Sequence, residues 1–255
     1  MLFVLKLCLT PLLIGGVALA GRRWGPLVSG LLIGLPLTTG PVSFFLAVEQ
    51  GTAFATQAAV GGLLGQVSIC LFCLAYSRSA PRLSWPLSTL CASLAFLLST
   101  ALLNLGHWTI WTALALLLLA IGSILRIMPK GMPSAIALKP PRWDLPARML
   151  VATGFVLVIT AVANQLGPQL SGLIAPFPVF GLVFAAFAHA QQGSEACAVV
   201  LRGIVLGSGA YTAFFAIVGF GLPVLGIALT YPLAALAAIG ISGLFYRMSR
   251  RPRRT

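Results

Sequence analysis

Acidic residues are almost absent: Glu49, Asp144 and Glu195 are the three in 255 residues, and charged side chains of both signs together make up 7%. A soluble domain carries roughly 25% charged residues, so a water-facing globular surface is excluded. Histidine is nearly as scarce, with His107 and His189 alone. An intramembrane enzyme needs a nucleophile with its base, paired carboxylates or a metal cage, and these few groups make a poor start on any of them. The stretch "LGSGAY" (206–211) does not form G-x-S-x-G, and no Gly-Lys nucleotide motif is present. No enzymatic activity, metal or cofactor is therefore expected. The five cysteines, Cys8, Cys70, Cys73, Cys91 and Cys197, all sit in apolar runs. Cys70 and Cys73 form C-x-x-C without a neighbouring His or acid, which reads as packing by a small hydrophobe.

What the chain has instead is apolar length: 59% hydrophobic residues and a mean hydropathy of +1.04. Runs long enough to cross a bilayer, about 20 residues each, fall near 3–20, 25–48, 53–76, 83–103, 108–127, 149–166, 168–190, 196–219 and 222–246. The expectation is an all-α integral membrane protein with about nine transmembrane helices. "ALAG" (18–21) resembles a signal-peptide cleavage site, but no positive charge precedes the first run and Arg22 and Arg23 follow it, so a retained helix is expected. Basic residues sort to the cytoplasmic side. With the N-terminus outside and the C-terminus cytoplasmic, fourteen of the sixteen Lys and Arg land inside, Lys6 and Arg202 being the exceptions. This orientation suits the cell membrane of a multi-pass protein. The net charge of +13 is spread over every cytoplasmic loop and the tail, which points to anionic lipid as partner and away from nucleic acid.

Displaced by 142 residues, positions 25–76 lie over 167–218 without a gap, with thirteen of fifty-two identical. Seven of the thirteen are Gly or Pro, including Gly25/Gly167, Pro36/Pro178, Gly51/Gly193 and Gly65/Gly207. In a Leu- and Ala-rich chain, chance matches would be Leu and Ala, so the offset reads as an internal repeat. Five crossings separate each residue from its equivalent. An odd number inverts the second copy, giving a 4+1+4 inverted-topology arrangement of the kind found in transporters. The expected divisions are a first four-helix repeat (1–105), a linker helix with a Pro-rich cytoplasmic loop (106–147), the inverted second repeat (148–246) and a basic tail (247–255).

Helices 2 and 7 carry the interruptions. "GPLVSGLLIGLPLTTG" (25–40) holds Gly34, Pro36 and Gly40 with Pro41 next, and the second copy holds Pro176, Pro178 and Gly181. Each Pro removes an N–H and frees a carbonyl, and at membrane depth such carbonyls survive only against protein, water or a ligand. Paired breaks near mid-membrane point to a substrate site. Pro36, Thr38, Thr39 and Ser43 would supply hydrogen bonds, and Pro178 and Phe180 the shape. A second group is ionisable: Glu49, His189, Gln192, Glu195 and Arg202, near the turns at Gly51 and Gly193, where Thr52 and Ser194 are placed to cap helices. Gly61/Gly65 and Gly203/Gly207 form G-x-x-x-G in helices 3 and 8 and predict that those two helices cross.

The leading functional expectation is a secondary transporter of a small solute, with H+ or Na+ as a coupling ion and self-association left open. The alternatives are a membrane subunit docking a partner through the Pro-rich loop and, more weakly, an intramembrane enzyme. The topology is checked by single-cysteine labelling in a cysteine-free background: positions 50 and 106 react with an impermeant reagent from outside, and positions 79 and 134 only after the membrane is opened. External labelling at 134 overturns the orientation.

Overall fold

The computed structural model describes residues 2–129, 131, 141–165 and 177–250, and every regular element among them is an α-helix. They are α1 (Leu2–Trp24), α2 (Pro26–Ile33), α3 (Thr39–Gln50), α4 (Thr52–Ser79), α5 (Trp85–Asn104), α6 (Ile110–Ile127), α7 (Asp144–Gln165), α8 (Val179–Gln192) and α9 (Ser194–Arg250). Four stretches are long and apolar enough to cross a membrane: α4, α5, α6 and Ser194–Met248 within α9. The chain is a helical, membrane-embedded protein.

Two departures from the expected runs have local causes. The run over 25–48 is two helices, because α2 ends at Ile33 and α3 starts at Thr39, with Gly34 and Pro36 between. Its counterpart ahead of α8, which includes Gly167 and Pro176, lies outside the described residues. The 57 residues of α9 would extend about 85 Å at 1.5 Å per residue, far more than a bilayer core of about 30 Å. The helix breaks at Gly226, where φ is 67°, a conformation that glycine adopts without a Cβ clash. Beyond it the second arm folds back on the first: a Cβ on Gly209 would lie 2.8 Å from Phe245, and one on Gly221 3.0 Å from Thr230. The boundary falls later than the expected 219–222 because Pro223 stays inside the helix, where it removes one donor without forcing a turn.

Glycines set the closest packing. Gly30 of α2 and Gly34 at its C-terminal cap press on Gly203 and Gly207 of α9, so that a Cβ on Gly203 would meet the Leu27 carbonyl at 2.5 Å and one on Gly207 the Leu31 carbonyl at 2.5 Å. With no side chain between them, the two backbones touch directly. The expected helices 3 and 8 do pack, as α4 against the first arm of α9, but Gly61, Gly203 and Gly207 of their G-x-x-x-G motifs do not make that contact. Gly203 and Gly207 are taken up by α2, while Gly61 of α4 is exposed with open space beside it. The turns at Gly51 (φ 88°) and Gly193 (φ 87°) share one left-handed conformation. Thr52 does not cap α4, since Gly51 is its N-cap and no side-chain cap bond forms there.

Gly207→Ala, which drives a methyl into the Leu31 carbonyl, is expected to lower stability by about 1–3 kcal/mol. Gly61→Ala meets nothing and is expected to be neutral or to stabilise by up to about 1 kcal/mol. Thermal unfolding in detergent compares the two.

Candidate functional site

The interruption between α2 and α3 is built from a few hydrogen bonds. Gly34 N–H still bonds the Gly30 carbonyl at 3.0 Å, but Leu35 N–H turns to Leu32, at 3.2 Å, instead of Leu31. The Leu31 carbonyl so released abuts Gly207. Helix resumes when Gly40 N–H reaches the Pro36 carbonyl at 2.9 Å and Val42 N–H the Thr38 carbonyl at 3.3 Å. Pro36 is buried, Thr38 half-buried and Thr39 exposed, with the Tyr211 hydroxyl near Thr39. Ser43 is buried, and its hydroxyl pairs with that of Tyr231 at 2.9 Å while Tyr231 also donates to the Ser43 carbonyl at 2.7 Å. Ser43 therefore ties α3 to the second arm of α9.

Pro178 is buried and Phe180 half-buried at the start of α8, while Phe177 stacks edge-on with Phe96, ring centres 5.4 Å apart. The two expected halves of the site come within one residue of each other. Ile204 of α9 lies between them, its carbonyl 2.7 Å from a Cβ built on Gly34 and its Cδ1 3.4 Å from one built on Gly181. Pro176 lies outside the described residues.

Beside this break runs a line of buried polar groups that sequence reasoning missed. Gln66 of α4 donates to the Ser208 hydroxyl of α9 at 2.7 Å. Ser208 in turn donates to the Ile204 carbonyl at 3.0 Å, Thr212 donates to the Ser208 carbonyl at 2.7 Å, and the Cys70 thiol approaches Ser208 at 3.6 Å. The Tyr211 hydroxyl faces Gly62, one turn from Gln66. Gln66 stands midway along the 28-residue α4, about 20 Å from either end. Gln66 and Ser208 are also 142 residues apart. Comparing the copies by identity hides the pair, because glutamine lies over serine. A Gln deep in an apolar run was the available signal.

The ionisable residues gather at the ends of the bundle. Asp144, at the start of α7, is buried and pairs with Arg148 at 2.9 Å and with Arg22 of α1 at 3.1 Å. It also accepts from the Gln191 amide of α8 at 2.8 Å. The Arg148 guanidinium lies over the rings of Phe184 and Phe187, at 5.0 and 4.9 Å, which adds cation–π attraction in a dry setting. Burial by itself raises the Asp144 pKa, but the Arg148 charge and the hydrogen bonds from Gln191, Arg148 and Arg22 outweigh it and hold the carboxyl below its usual value. The i,i+4 spacing of Asp144 and Arg148 was legible in the sequence; their contacts with α1 and α8 were not.

The expected ionisable group disperses around the same end and the opposite one. His189 packs its ring against Tyr76 at 5.9 Å. Gln192 and Glu195 are exposed, Glu195 in the first turn of α9, where the helix dipole favours an acid. Arg202 donates to the Leu125 carbonyl at 2.9 Å and Arg78 to that of Ile127 at 3.0 Å, so two guanidinium groups satisfy the C-terminal end of α6. Glu49 is exposed at the end of α3. Cys70 and Cys73 are fully buried, and no cluster suited to a metal occurs among the described residues.

No protein-family model, curated protein or solved structure matches the chain. Function must then be read from the site rather than from kinship.

Asp144→Asn leaves Arg148 buried without a counter-charge and is expected to cost about 3–5 kcal/mol. Because the native pKa is lowered from 3.8, the wild-type carboxylate contributes fully above that value and its contribution disappears as pH falls through the native pKa. Unfolding followed from about pH 8 down to about pH 2 is expected to show this loss beginning below the ordinary carboxylate value in the wild type and absent in the Asn variant.

Proposed function

We propose that the chain is a secondary transporter that carries a small solute through a midplane site between two inverted repeats, 1–105 and 148–246, in a nine-crossing bundle with the N-terminus outside. The Gln66–Ser208 hydrogen bond is the observation that carries this reading. A two-fold axis exchanges every residue with its equivalent, so equivalent residues touch only on the axis. Gln66 and Ser208 are equivalent under the 142-residue offset, lie 2.7 Å apart, and sit at mid-depth, where inverted-repeat transporters place their substrate. The matching turns at Gly51 and Gly193 support the same offset.

On this reading the interruption at Gly34–Thr38 brings loosened backbone and the Thr38 and Thr39 hydroxyls up to the axis. Ile204 fills the space between Gly34 and Gly181, so it has to move for a solute to enter. At the cytoplasmic end the Asp144 network ties α1 and α7 to α8 and closes that route. Alternation then requires α8 to leave Asp144, a step in which Gln191 is released while the Arg22–Asp144 pair, which joins α1 to α7, and the Arg148–Asp144 pair within α7 stay intact. Ionic gradients or the gradient of the solute supply the energy, since no nucleotide motif is present.

The test starts from a thermal-shift screen of small solutes on the purified chain, because a bound ligand stabilises the native state. Uptake of the stabilising solute into proteoliposomes is then measured. Pro36→Ala, which favours a continuous helix, is expected to abolish uptake while the protein still inserts. Thr38→Val and Thr39→Val each remove a hydroxyl worth about 0.5–1.5 kcal/mol, an affinity loss of about two- to tenfold. Val179→Thr, on the shape-giving side, is expected to be milder. Wild-type uptake by all three copy-one variants overturns the site.

A further inference from the structure

The polar line beside the break is neutral throughout, and the stretches of chain that supply it carry no charge. Gln66, Ser208, Thr212, Tyr211, Thr39 and Cys70 carry amide, hydroxyl and thiol groups only. The sequence has no Asp, Glu, Lys, Arg or His over 24–48, 50–77, 149–188 or 203–246, the stretches that supply the interrupted helices and both members of the axial pair. Arg202 is the nearest cation along α9, six residues from Ser208. That is about 9 Å of helix, and its guanidinium is held on the Leu125 carbonyl of α6.

An isolated ion at this depth loses its hydration without gaining a partner. The idealised penalty is of order 20 kcal/mol in a medium of low dielectric, and several kcal/mol remain after relaxation. Hydrogen-bond partners, by contrast, are abundant: the Gln66 amide and the Ser208, Thr212, Thr39 and Tyr211 hydroxyls all both donate and accept. We infer that the transported solute is uncharged, a small molecule rich in hydroxyl or amide groups that exchanges its water for the Gln66–Ser208 line. Resting on the transport reading above, this names the substrate class of that same site. It also means that no side chain at the site is available to carry a coupling proton.

The full-length chain is reconstituted in liposomes, and swelling is followed by stopped-flow light scattering under equal osmotic gradients of glycerol, urea, ribitol, sodium glutamate or choline chloride. Faster swelling than in protein-free liposomes is expected for at least one of the three neutral probes and for neither glutamate nor choline. Gln66→Leu and Ser208→Ala are expected to slow the neutral probe at least tenfold. In case Gln66→Leu fails to fold, Gln66→Glu preserves the shape and adds a titratable group. Its swelling rate is expected to approach wild type at acid pH, where the carboxyl is protonated, and to fall as pH rises, while wild type stays flat and size-exclusion profiles match at both ends. Acceleration of glutamate or choline overturns the neutral-solute inference and leaves transport standing, as does a pH-independent Gln66→Glu rate at the wild-type level. Acceleration of none of the five by correctly inserted protein overturns the transport reading together with it.

Discussion

The direct contact of two helix backbones at Gly30, Gly34, Gly203 and Gly207 is the constraint from which the rest of the arrangement follows. A membrane gives helices no hydrophobic reason to associate, so close van der Waals approach and backbone contact have to supply it. Here the approach is close enough that a single added methyl on α9 would strike a carbonyl of α2 at 2.5 Å. It holds the interrupted end of α2 against the middle of the first arm of α9, lays the released Leu31 carbonyl on Gly207, and sets Ile204 between Gly34 and Gly181. The polar line from Thr39 through Tyr211 to Gln66 and Ser208 is a result of that placement.

Electrostatics divides the molecule differently. Charges are driven to the ends of the helices because a bilayer interior solvates them poorly. Two of the three acids, Glu49 and Glu195, are exposed, while Asp144 is buried with two arginines and a glutamine. Buried pairs of this kind add little net stability, yet removing one partner is severe. The network therefore behaves as a specific link between α1, α7 and α8 rather than as general reinforcement. The contact of α4 with α9 is held by neutral hydrogen bonds such as Gln66–Ser208, each worth about 0.5–1.5 kcal/mol.

Parts of this were legible residue by residue. The helical, membrane-embedded class follows from the run of apolar segments, and the interruption between Ile33 and Thr39 lies where Gly34 and Pro36 stand two residues apart, a pairing that weakens the helix more than the lone Pro223 inside α9. The contents of the site were less legible. Thr39 lies beside Tyr211, but Ser43 is engaged by Tyr231, a partner 188 residues away. Arg202, grouped in the sequence with Glu195 near the turn at Gly193, reaches across to Leu125 of α6. Gln66 drew no attention because its equivalent is a serine, and comparison by identity cannot register two different groups that bond each other.

By itself the sequence determined properties that act through neighbours along the chain: embedding in a membrane, helical class, the place of the break before Thr39, and the exclusion of charge from mid-depth. Those depend on hydropathy and backbone stereochemistry over a few residues. Only the tertiary structure decided which glycines meet, with Gly203 and Gly207 taken by α2 while Gly61 stays open. It alone decided which acid is buried, and that Gln66 finds Ser208. A small residue or a lone amide permits a contact without naming the partner; the partner is chosen when the helices pack.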